Sequence, residues 1–124
     1  MFRKIICAGL PPTALCFGLF LSATQALADG PAIHVGADTR AKTKNECMTA
    51  ASFAIRETGL HVNFTADPHT GGTGTFMGAE VSVMVTCLSL GPRTFIEVVG
   101  TSLNSGAAAE ARNRVRTIVM GPPS

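Results

Sequence analysis

The chain has no tryptophan and no tyrosine. That removes the rings that most often stack on bases and sugars, a part phenylalanine could fill only in part. No C-x-x-C pair occurs, so a dithiol redox centre has no support. The glycine-rich run DPHTGGTGTFMG over residues 67–78 carries no lysine at the spacing of a phosphate-binding loop. It also leads into a strand pattern, so no helix N-terminus follows to receive an anion. Ser82, Ser89, Ser102 and Ser105 stand in no nucleophile-elbow context, and no base is placed beside any of them. Tracts of low complexity and internal repeats are missing too. These absences point away from nucleotide chemistry and covalent catalysis, and the expectation is a protein that is not an enzyme and needs no cofactor.

What is present begins at the N-terminus. Arg3 and Lys4 precede an apolar stretch from Ile5 to about Leu21, and Ala26-Leu27-Ala28 offers a small-x-small cleavage site. This is the pattern of a secretory signal peptide over residues 1–28, cleaved after Ala28. Pro11 and Pro12 interrupt the apolar run and disfavour a membrane-spanning helix. Leu15 before Cys16 disfavours a lipid-attachment site. Losing Arg3 and Lys4 lowers the ten Lys and Arg to eight, equal to the eight Asp and Glu. The basic character belongs to the export signal and gives no case for nucleic acid or, after cleavage, for a membrane. The expected location is the periplasm or the exterior. There, the two cysteines that survive, Cys47 and Cys87, are expected to form a disulfide.

Residues 29–42 are polar and glycine-punctuated and read as a flexible lead-in, in which Ala-Ile-His-Val could add a short edge strand. Thr43 and Glu46 have the spacing of a capping box. Behind it Cys47, Ala51, Ala54, Ile55 and Thr58 fall on one helical face, with Gly59 as the stop, which predicts a helix over 44–58. The period then changes to two. Leu60, Val62, Phe64 and Ala66 alternate with His61, Asn63 and Thr65. A second alternation covers 79–88, and a third covers 94–101 after the Gly91-Pro92-Arg93 turn. Asn104-Ser105 caps a last helix striped by Ala107, Ala108, Ala111, Val115, Ile118 and Val119, ahead of Gly121 and a tail at 122–124. One α-β-β-β-α domain over 43–121 follows. Its expected fold class is α+β, a two-layer sandwich with a three-stranded antiparallel sheet and two helices on one face. The glycine-rich run serves as a connector in this scheme.

The disulfide conflicts with that topology. In a three-stranded meander the first helix runs parallel to the second strand, which puts Cys47 and Cys87 at opposite ends of the layer. The ends lie roughly 20 Å apart at ~3.3 Å per residue, whereas a disulfide needs Cα atoms within about 7 Å. An oblique helix, a non-hairpin connection through the long glycine-rich run, or unpaired thiols are the ways out.

Three groups of residues remain as candidate sites. The sheet face away from the helices presents His61, Asn63, Thr65, Glu80, Ser82, Met84, Thr86, Phe95, Glu97 and Val99. Its Phe95, Val99 and Met84 could make an apolar patch with a polar rim, which is how interaction surfaces look. His61, Asp67 and His69 could gather around a metal if the glycine-rich run folds back, although their spacing matches no ligand pattern. Arg112, Arg114 and Arg116 spread around the last helix and suit its C-terminal half through the macrodipole. Thr43 and Cys47 on an alanine-bearing helix, the run V-x-V-T-C-L-S-L-G over 83–91 and a final arginine-bearing helix resemble small exported bacterial proteins of unassigned function. That resemblance spans about residues 43–120 and implies only a periplasmic domain of this order. The functional expectation is a non-catalytic interaction module. It would use the open sheet face to meet a partner protein or a second copy of itself, with metal or small-ligand binding through His61, Asp67 and His69 as the alternative.

Overall fold

The computed structural model describes residues 30–121. The expected signal peptide and the C-terminal tail lie outside the described residues. Seven elements follow in order: β1 (Ala32–Arg40), α1 (Lys44–Glu57), β2 (His61–Ala66), β3 (His69–Phe76), β4 (Ala79–Leu90), β5 (Arg93–Ser102) and α2 (Ser105–Met120). The strands form one antiparallel sheet in the order β1-β5-β4-β3-β2. Both helices lie on one face, α1 over β2–β4 and α2 over β1, β5 and β4. The α+β class and the two helices on one side match expectation, but the sheet has five strands rather than three.

The helix ends are set by the residues that announce them. Glu46 N–H donates to Thr43 Oγ1 at 3.1 Å, and Thr43 N–H donates to Glu46 Oε1 at 2.8 Å, completing the capping box. At the other end Gly59 takes φ +87°, and Leu60 N–H reaches back to the Ile55 carbonyl at 3.1 Å while Gly59 N–H meets that of Arg56 at 2.9 Å. These are the paired bonds of a Schellman stop, and they need a left-handed residue at that position. Asn104 caps α2 by accepting from Ala107 N–H at 2.9 Å.

Two of the five strands come from segments that read as irregular. The lead-in is β1, paired along its whole length with β5 from Ala32↔Ser102 to Arg40↔Thr94. The glycine-rich run is β3, and its glycines have a packing role. A Cβ on Gly72 would press into the Ile55 side chain and stand 2.7 Å from the His61 carbonyl oxygen, while one on Gly71 would stand 2.6 Å from Phe64 Cζ. Neither residue has positive φ. The turn is confined to Met77-Gly78, both at positive φ between Phe76 and Ala79, the two-residue connection that suits twisted strands.

The extra strand resolves the cysteine conflict. With β3 inserted, β4 runs antiparallel to α1, so the start of the helix meets the end of the strand. Cys47 and Cys87 are disulfide-bonded with Cα atoms 6.1 Å apart. Around the bond the core holds Ala51, Ala54 and Ile55 from α1, Val81, Val83 and Val85 from β4, Ile96 and Val98 from β5, and Ala107, Ala111, Val115 and Val119 from α2. Each buried valine or isoleucine contributes about 1.5–3 kcal/mol relative to exposure. Among the described residues no helix is long and apolar enough to cross a membrane.

Candidate functional site

On the helix-covered face the strands meet α1 and α2 through the buried core side chains. On the open face, antiparallel pairing lines up residues from all five strands in rows. One row runs Val35, Val99, Met84, Gly71, Phe64. Gly71 has no side chain, so the row dips there and the Phe64 ring lies over its backbone. The next row is Ile33, Thr101, Ser82, Thr73 and His61, and the row on the other side is Ala37, Glu97, Thr86, His69 and Ala66. A trough of ≈ 310 Å³ lies along the apolar row, with Asn63, Phe64, Gly71, Thr73, Ser82, Met84, Val99 and Thr101 among its lining residues.

The polar groups around the trough are held in place. Thr73 Oγ1 donates to Asn63 Oδ1 at 2.7 Å on one side. On the other, His69 Nδ1 and Thr86 Oγ1 are 3.0 Å apart, with Glu97 beside Thr86 on β5. Because the Nδ1 side of the ring is engaged, the imidazole presents Nε2 as its remaining hydrogen-bonding atom. Phe64 and Met84 remain 46% and 36% exposed, enough to contact a solute. The arrangement can hold a flat apolar molecule between Phe64, Met84 and Val99 while hydroxyl and amide groups meet its polar edges. Two other depressions of similar or larger size, one beside Glu57, Glu110 and Arg114 and one beside Phe53 and Thr49, lie on helix surfaces and are more open to solvent.

The expected outward residues fall on this face with one exception. A bulge between Val62 and Phe64 shifts the register of β2. Phe64 and Ala66, expected in the core, therefore stand on the open side. Thr65 turns to the helix side, opposite Thr70, whose hydroxyl points to Met48 Sδ at 3.9 Å. His61, Glu80, Ser82, Met84, Thr86, Phe95, Glu97 and Val99 lie on the open face by register, and Asn63, in the bulge, joins them through the hydrogen bond it accepts from Thr73. Sequence reasoning missed Phe64, Gly71, Val35 and Ile33.

The histidine and aspartate trio does not assemble. His61 pairs with Thr73 and His69 with Ala66, four β3 residues away, which separates them by roughly 13 Å along the strand. Asp67 is ion-paired with Lys44. Among the described residues no group of three His, Cys, Asp or Glu could hold a metal ion. The arginines of α2 also divide. Arg114 sits over the Phe76 ring at 5.5 Å, while Arg112 and Arg116 turn toward β1.

No protein-family model and no curated protein matches the chain. Among solved structures the fold belongs with helix-grip-like α+β proteins. CalU16 from Micromonospora echinospora superposes with a TM-score of 0.52 at 10% identity, over 74% of this chain and 76% of that one. The Zhui aromatase/cyclase from Streptomyces sp. R1128 aligns with a TM-score of 0.37 at 9% identity, over 73% of this chain and 85% of that one. The first likeness is one of fold alone. The expectation of a non-catalytic interaction module on the open sheet is corrected here. The geometry of the open face is what overturns it. The polar row of Glu97, Thr86 and His69 divides Met84 and Val99 from Phe95, so the contiguous apolar patch expected of those three residues is not formed.

Proposed function

We propose that the chain is a small exported binding protein for a flat, largely apolar small molecule carrying hydroxyl or similar polar groups, held in the open-face trough. The observation that carries this reading is the Phe64–Gly71–Met84–Val99 row. The Phe64 ring takes the space over Gly71, and beside it a trough of small-molecule size runs past Met84 and Val99, with Asn63, Thr73, Ser82 and Thr101 along its edge. His69 stands one row away with its orientation fixed by Thr86, placed to exchange a hydrogen bond with a polar group of the ligand. The expected N-terminal signal and the Cys47–Cys87 disulfide support a place outside the cytoplasm.

The test is amide and methyl chemical-shift mapping of the mature chain against a panel of hydroxylated planar aromatics. Shifts centred on Gly71, Thr73, Met84 and Val99 are expected, with Phe64→Ala weakening binding about ten-fold. Shifts confined to the helix surfaces, or none at millimolar ligand, would sink the reading.

A further inference from the structure

The helix side of β1 carries a second feature, independent of the trough. By register His34, Gly36, Asp38 and Arg40 point to the side occupied by α2. From α2, Arg112 and Arg116, one turn apart, converge on Gly36. A Cβ placed there would stand 2.6 Å from one Arg112 terminal nitrogen, 2.9 Å from Arg116 Cδ and 3.0 Å from its Nε. Glycine at this point lets two guanidinium groups settle against the edge of the sheet. Arg40 joins them from the end of the strand.

Three cations therefore share this corner with one carboxylate. Asp38 is already engaged, its Oδ2 accepting from Arg40 at 2.7 Å and its Oδ1 from Thr39 N–H at 2.8 Å. Arg112 gives one terminal N–H to the Val35 carbonyl at 3.1 Å. Arg116 acts on Asp38 through its charge, and the Nε atoms of Arg40, Arg112 and Arg116 are all buried without a hydrogen-bond partner. The guanidiniums are half-buried, and the one inward-facing Nε–H on each is left without an acceptor, which is unfavourable unless something supplies one.

We propose that Arg112 and Arg116, seated on Gly36 and flanked by Arg40, bind a dianionic oxyanion of the phosphate type. The charge excess and the forked donors of paired arginines match a tetrahedral group with several acceptor oxygens better than a single carboxylate.

The experiment is titration of the mature chain with inorganic phosphate, followed by calorimetry and by amide shifts at Val35–Arg40. Saturable millimolar binding is expected, weakened about ten-fold or more by Arg116→Gln. Gly36→Ala removes no charge but displaces both guanidiniums, and a similar loss is expected from it. Arg114→Gln, at the neighbouring position over Phe76, leaves binding unchanged. Should Arg116→Gln not fold by circular dichroism, Arg116→Lys keeps the charge, loses the fork, and is expected to weaken binding several-fold. Sedimentation with phosphatidate vesicles assigns the source. Pelleting that is lost in Arg116→Gln places the phosphate on a lipid headgroup, and a chain left in the supernatant places it on a soluble molecule. Absence of phosphate binding, or equal losses in Arg114→Gln and Arg116→Gln, overturns the proposal.

Discussion

On the side under α1 and α2, strands β4 and β5 set Val81, Val83, Val85, Cys87, Ile96 and Val98 into contact with helices that are rich in alanine there. On the other side the same two strands set Ser82, Met84, Thr86, Phe95, Glu97 and Val99, with nothing among the described residues laid over them. One alternation thus builds two surfaces of opposite kind. Gly71 and Gly72 show the contrast at adjacent positions. Gly72 makes room for Ile55 and for the backbone of His61, whereas Gly71 makes room for a ring that is half exposed. The first glycine serves packing that cannot yield, and the second serves a side chain that can swing aside.

The contrast can be broken, and the largest effect should come from the covered side. Replacing Cys47 and Cys87 together by alanine opens a link between residues 40 apart in sequence and is expected to cost about 2–5 kcal/mol, read as the change in unfolding free energy in urea. Gly72→Ala comes next. Its Cβ meets backbone as well as side chain, so a loss of about 1–3 kcal/mol is expected in the same assay. Gly71→Ala should cost under about 1 kcal/mol, because the Phe64 ring can rotate away, yet it should abolish ligand binding in the trough. Equal destabilisation by the two glycine substitutions would show that the faces do not differ in rigidity.

The smallest effect concerns the rim of the covered face. The hydrogen bond from Arg40, then that from Thr39 N–H and the nearby Arg116 charge, hold the Asp38 carboxyl below the usual carboxylate range. A lowered folded pKa means that the contribution is complete above the unfolded value of about 3.9 and fades as pH falls through the folded one. Asp38→Asn should therefore flatten a slight loss of stability that the parent shows in acid, below about pH 4. Urea unfolding at pH 5 and pH 3 for both chains checks this. Asp38 is exposed to solvent, so the slope is shallow.

Much of the covered side was legible because its residues obey one period at a time. The capping box and the Gly59 stop bound α1 to within a residue, and the alternation over 79–88 and 94–101 located β4 and β5. β3 was hidden because glycine is depleted in strands, and its partners Ile55 and Phe64 lie outside the segment, beyond any local pattern. Of β1 only a short edge strand over Ala-Ile-His-Val was legible, because its later inward positions are Gly36, Asp38 and Arg40, which face arginines rather than an apolar core. Phe64 was assigned to the wrong side because a bulge moves a residue across the sheet without any change in composition. One signal did carry non-local information. The mismatch between Cys47 and Cys87 in a three-strand scheme disappears only when one more strand reverses the chain between them, and the glycine-rich run was the one segment long enough to supply it.

The pairing of β1 with β5 bears on the order in which the chain assembles. Every other neighbour in the sheet is joined by a hairpin, so β2 to β5 can zip as each follows the last. Strand β1 must wait for a partner four strands later in the chain, with Ala32 opposite Ser102. It carries the largest loop-closure entropy of any strand and sits at an edge with a single neighbour. Its docking is therefore the step expected last and the first to be lost. Amides of residues 32–40 should exchange with solvent ahead of those in β4, and the arginine corner assembled on β1 would form only in the completed fold.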